Sequence, residues 1–111
     1  MFRLTVITLV ITLLPSTSSR LLCGVDLIMS NSMEVSIKLD CPTKLEQHRQ
    51  CCADHGICYI FRKPYQECDQ DYCKCVLEIS GKSGGVCQMH GENFCSIVKD
   101  TGRNVYDLHG V

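Results

Sequence analysis

The chain has 111 residues, ten of them cysteine, and a formal net charge of -1 at pH 7. That length is one domain's worth, and a near-neutral balance without a Lys/Arg block excludes the electrostatic footprint of a nucleic-acid binder or of a strong ligand for acidic membranes. Ten cysteines are far above ordinary usage, and an even count points to disulfides. A zinc site is the competing use of thiolates, but no pair of CxxC knuckles is present.

The segment 1–19 has the order of a secretory signal peptide. Met1-Phe2-Arg3 gives a positive start, Leu4 to Leu14 is an uncharged apolar run, and Pro15 to Ser19 supplies small residues for cleavage. A bilayer span needs roughly 20 apolar residues, and this run is shorter. All ten cysteines follow it, as an oxidising compartment favours. The protein is therefore expected to be secreted, extracellular and without a transmembrane segment in its mature chain. A domain this small buries too little apolar surface to rest on its core alone, so disulfides of about 2–4 kcal/mol each are expected to carry much of its stability.

Beyond the leader come Cys23-Gly24 and then the alternating stretch Met33 to Leu39, which predicts a short strand. From Pro42 to about Phe61 the pattern becomes helical, with proline in the first turn and Leu45, Cys52, His55 and Tyr59 on roughly one face, and it stops before Pro64. A second helix is predicted from about Gln66 to Ile79, ended by Ser80-Gly81. Gly81 to Gly85 reads as a flexible turn, and Gly91 to about Asp100 as a last, shorter helix before Thr101-Gly102. His48, His90 and His109 read as ordinary surface residues.

Cys51 and Cys58 are seven residues apart, and so are Cys68 and Cys75. Seven residues make about two helical turns and about 10 Å of rise, so each pair shares a face. The short connection Arg62-Lys63-Pro64-Tyr65 makes the two helices antiparallel, which sets Cys58 opposite Cys68 and Cys51 opposite Cys75. The same register brings His55 towards Asp69. A histidine held by a buried carboxylate has a fixed tautomer and a basic outer nitrogen suited to deprotonating water. By itself, that contact points more to a His that packs and hydrogen-bonds in a small core than to a base.

The run Cys51-Cys52-Ala53-Asp54-His55-Gly56-Ile57-Cys58-Tyr59, followed by Cys68-Asp69, resembles the signature of the secreted phospholipase A2 family, CCxxHDxCY with a later CD. The shared pattern covers about Cys41 to Cys75, and the very short helix connection with Cys73-Lys74-Cys75 looks most like nematode members. The resemblance implies a mainly α, small disulfide-rich phospholipase A2-like fold built on two antiparallel disulfide-linked helices, in a domain spanning 20–111. It implies hydrolysis of the sn-2 ester of glycerophospholipids, a step of lipid catabolism that releases a fatty acid. In that reaction His55 would activate a water, Asp69 would hold His55, and Tyr59 would contact Asp69. The resemblance further implies a phospholipid interface as partner, calcium as cofactor, and a bridge from Cys52 back to Cys41 or Cys23.

The sequence departs from that family at Gly56, where the pattern has the aspartate that binds calcium. Calcium takes six to eight oxygen ligands, and glycine supplies no side-chain oxygen. Asp54 points about 200° away around a helix and is no simple substitute. The family's glycine-rich loop, which offers carbonyl oxygens to the same ion, is not recognisable before Pro42. Calcium polarises the ester carbonyl and neutralises the developing oxyanion, worth several kcal/mol in such mechanisms. Hydrolysis is therefore expected to be weak or lost unless a carboxylate from Asp26, Glu34 or Asp40 reaches the position beside His55. Two alternatives stay open: a non-catalytic lipid- or protein-binding homologue on the same scaffold, and a disulfide scaffold in which the histidine is incidental. The partners of Cys73, Cys87 and Cys95 and the oligomeric state are not legible.

Overall fold

The computed structural model describes Cys23 and residues 27–109, so the leader 1–19, Gly24 and Asp26 lie outside the described residues, as does the side chain of His109. Four α-helices and one short 3-10 turn make up the described chain: α1 (Leu27–Asp40), the 3-10 turn Pro42–Lys44, α2 (Leu45–Ile60), α3 (Tyr65–Gly81) and α4 (Gly85–His109). Among the described residues no helix is long and apolar enough to cross a membrane.

The strand expected over Met33 to Leu39 is instead the second half of α1. Met33 and Ile37 lie on one face in either conformation, so a short alternation does not separate the two. The helix buries Ser30, Met33, Glu34 and Ile37, at spacings of three and four, and leaves Val35 52 % and Leu39 77 % exposed. A lone strand would have left a row of backbone N–H and C=O groups unpaired, whereas a helix satisfies them internally. Cys41 N–H donates to the Ile37 carbonyl at 2.8 Å, and Pro42 then opens the 3-10 turn that leads into α2.

Helix α2 ends at Ile60, four residues before Pro64, in a Schellman arrangement. Lys63 N–H donates to the Cys58 carbonyl and Arg62 N–H to the Tyr59 carbonyl, with Arg62 in the left-handed region at φ 59. Glycine is the usual occupant of that position. Here the arginine is tied by its own side chain: Nη1 donates to the Tyr106 carbonyl at 2.7 Å, and the guanidinium carbon lies 3.7 Å from the Tyr106 ring centroid. The chain then reverses through Pro64 into α3.

Cys58 is joined to Cys68 and Cys51 to Cys75, each with Cα atoms 5.8 Å apart, the two pairs expected from the seven-residue spacings. The remaining cystines are Cys23–Cys52, Cys41–Cys87 and Cys73–Cys95, so Cys52 is bridged to Cys23, while Cys41 ties the end of α1 to the start of α4. No free cysteine is left.

Helix α4 has 25 residues and runs through both glycines that the sequence suggests as boundaries. Gly91 and Gly102 are close-approach positions inside it. A Cβ on Gly91 would stand 2.6 Å from Ser80 Cβ, and one on Gly102 would collide with the Tyr59 hydroxyl. Helix α3 ends at Gly81, at the expected stop, and the turn before α4 is made by Gly84 and Gly85, both at positive φ. Between the helices lie Met33, Ile37, Tyr72, Val76, Phe94 and Val98, with the cystine sulfurs among them. Each such side chain contributes about 1.5–3 kcal/mol on burial.

Of the expected surface histidines, His48 is buried and His90 is half-buried. His48 is buried edge-on against Phe94, with ring centroids 5.5 Å apart, and its Nδ1 has no hydrogen-bond partner. His90 is half-buried, stacks on the same phenylalanine and pairs through Nε2 with Asp40 Oδ2 at 2.6 Å. Their positions on α2 and α4 gave no apolar pattern strong enough to reveal this, because the face they share is completed only when α1 and α4 meet.

Candidate functional site

The register fixed by the two α2–α3 disulfides sets His55 of α2 against Asp69 of α3. His55 Nε2 lies 2.8 Å from Asp69 Oδ1, and the same oxygen accepts the Tyr59 hydroxyl at 2.5 Å. Tyr59 is one helical turn beyond His55 and its ring centroid is 4.2 Å from the imidazole. All three side chains are buried, and none of the His55 side chain is exposed. Burial, then the hydrogen bond to Asp69, pushes the Tyr59 phenol well above its ordinary range, so it remains a donor to the carboxylate.

The second imidazole nitrogen is also engaged. Nδ1 of His55 lies 2.7 Å from the main-chain carbonyl oxygen of Cys23, which the Cys23–Cys52 disulfide holds beside α2. Both ring nitrogens thus face acceptors inside the protein, one a carboxylate and the other a carbonyl. Neither faces solvent. Tyr72 closes another side of the ring at 5.2 Å between centroids; burial raises its phenol as well.

Three parts of this arrangement are absent from the sequence reading: the Cys23 carbonyl, Tyr72, and Gly102, whose missing side chain lets α4 lie against Tyr59 and Asp69. Gly102 carried a signal, since a glycine between Thr101 and Arg103 in an otherwise helical segment marks either an end or a close approach. The carbonyl carried none, because a backbone oxygen has no sequence signature until its disulfide is known.

Among the described residues, the donor set beside His55 does not fit a calcium ion. Gly56 brings no oxygen from a side chain, and the Cys23 carbonyl is turned on the imidazole. Glu34 is engaged by Arg49 at 2.9 Å and by Lys38, and Asp40 by His90. Asp26 lies outside the described residues. Asp54 is exposed and accepts the Gln50 amide. Among the described residues, no group of three or more His, Cys, Asp or Glu side chains converges.

Comparisons of the chain with protein-family models, curated proteins and solved structures found no match.

Proposed function

We propose that the protein is a secreted, phospholipase A2-like protein in which the His55–Asp69 pair serves as an internal brace and sn-2 ester hydrolysis of glycerophospholipids is weak or lost. The observation that carries this reading is the engagement of both His55 nitrogens, by Asp69 and by the Cys23 carbonyl. A general base must reach the proton it removes, at about 2.6–3.2 Å or through one water. With the side chain fully enclosed, no nitrogen of His55 offers that reach. The missing side chain at Gly56 acts in the same direction, because nothing at that position would gather calcium to neutralise an oxyanion. The resemblance in Cys51 to Tyr59 and Cys68-Asp69 supports the scaffold and the ester class. The ten paired cysteines support an extracellular setting.

The test is hydrolysis of mixed phospholipid micelles by the refolded, oxidised chain, with calcium and with chelator, beside Gly56→Asp and His55→Gln. The expected result is no hydrolysis above that of His55→Gln. Calcium-dependent hydrolysis by the native chain that disappears in His55→Gln would sink the reading and restore an enzyme. The alternative of a lipid- or protein-binding homologue is favoured by one observation: Ile57, Ile60 and Phe61 are exposed together at the end of α2.

A further inference from the structure

Between α2 and α3 the surface opens into a groove of about 300 Å³, bounded by the Cys51–Cys75 and Cys58–Cys68 disulfides. Asp54, His55 and Ile57 line it from α2 and Asp71 from α3, with Tyr72 beneath and Phe61 and Lys63 towards the interhelix turn. The antiparallel register that pairs Cys51 with Cys75 and Cys58 with Cys68 puts Asp54 and Asp71 at nearly the same level on the two walls of the groove. Both carboxylates are exposed, and neither forms an ion pair among the described residues; Asp54 accepts only the Gln50 amide. Next to this acidic middle stands an apolar ledge in which Phe61 is 73 % and Ile60 69 % exposed.

We propose that this groove docks a partner polypeptide through a lysine or arginine side chain flanked by apolar residues. The cation would enter between Asp54 and Asp71, and the flanking apolar side chains would cover Ile57, Ile60 and Phe61. Charge complementarity selects this occupant. The two carboxylates outnumber the single cation of the lining, Lys63, and so disfavour the phosphate of a lipid headgroup, and two side-chain groups alone are too few for a metal ion, which needs four or more ligands. A free small amine would leave the ledge uncovered. The groove extends along about two helical turns, roughly 10 Å, before the ledge begins, which suits an extended or helical segment. His55 lies in the floor of the same groove, so a docked segment would cover the buried pair, but the docking contacts are made by Asp54, Asp71 and the apolar ledge and not by His55 or Asp69.

The test is fluorescence anisotropy of a labelled synthetic peptide with one lysine between leucines, titrated with the oxidised full chain at low and moderate salt. The controls are the same peptide with glutamate for lysine, n-butylamine as competitor, and vesicles of phosphatidylglycerol. The expected result is saturable, salt-sensitive binding of the lysine peptide. That binding should weaken about tenfold or more in Asp54→Asn/Asp71→Asn and again in Phe61→Ser. All these substitutions are at exposed positions, and retention of five disulfides by mass checks the fold. The proposal is overturned by absence of saturable binding, by equal binding of the glutamate peptide, or by indifference to the double asparagine variant. It is also overturned if butylamine displaces the peptide at concentrations near the peptide's own Kd, which would make the site one for small amines. Vesicle binding that depends on Phe61, with no peptide binding, would assign the ledge to lipid instead.

Discussion

Asp69 Oδ1 receives two groups, His55 Nε2 and the Tyr59 hydroxyl, so the carboxylate is held at a corner between two helices. Removing one donor leaves that buried oxygen under-satisfied, at a cost of about 1–3 kcal/mol. Tyr59→Phe is therefore expected to lower the unfolding free energy by that amount in a urea titration, while all five disulfides still form. Gly102→Ala would push a methyl group into the Tyr59 hydroxyl inside a rigid helix pair, and overpacking of this kind costs about 1–3 kcal/mol. A shift of the Tyr59 ring resonances in the alanine variant would show that the methyl acts through that contact.

His48 gives the molecule a dependence on pH at the same scale. Burial, and then the charge of His90, lowers its pKa from 6.5 to about 4. A group whose folded value lies below its unfolded one binds protons more readily in the unfolded chain. Its stabilising contribution is thus complete above 6.5 and is lost progressively as pH falls towards about 4, by on the order of 3 kcal/mol in all. Urea midpoints measured across that window are expected to fall with pH in the native chain and to fall less steeply in His48→Leu. Parallel slopes in the two would assign the acid sensitivity to other groups.

Helices α2 and α3 were legible in the sequence because cysteine spacing is a metric signal. Two intervals of seven residues and one short connection leave a single antiparallel register, and with it the approach of His55 to Asp69. Helix α1 was not legible as a helix, because Met33, Val35, Ile37 and Leu39 alternate while the burial that decides the matter follows Met33 and Ile37 alone. The full length of α4 was hidden for a related reason. Gly91 and Gly102 look like stops in a chain read by itself, and only the close packing of Ser80 and Tyr59 explains why they are glycines within a helix. Cystines also differ in what they constrain. Loop-closure entropy gives about 3 kcal/mol for the 10-residue separation of Cys58–Cys68 and about 4 kcal/mol for the 46-residue separation of Cys41–Cys87. Replacing Cys41 and Cys87 by serine is expected to lower the melting temperature more than replacing Cys58 and Cys68.

Taken as a whole molecule, the described chain is a set of four helices whose interior is shared between a few aliphatic and aromatic side chains and the buried cystine sulfurs of Cys23, Cys41, Cys51 and Cys52. In such an interior the His55–Asp69–Tyr59 cluster is the main buried polar join between α2 and α3, and the Cys23–Cys52 bridge supplies the last acceptor it lacks. The candidate site was thus half legible: the side chains followed from spacing and resemblance, while the carbonyl that closes the ring off came from a disulfide whose partner the sequence left open. The most direct measurement is carbethoxylation of the native, oxidised chain with diethyl pyrocarbonate, followed by peptide mass mapping. The expected result is that His55 stays unmodified under conditions that modify free imidazole, and that it becomes reactive only on reduction or unfolding. Modification of His55 in the folded chain at a rate near that of free imidazole would contradict it, because a nitrogen would then be open to solvent and available as a base.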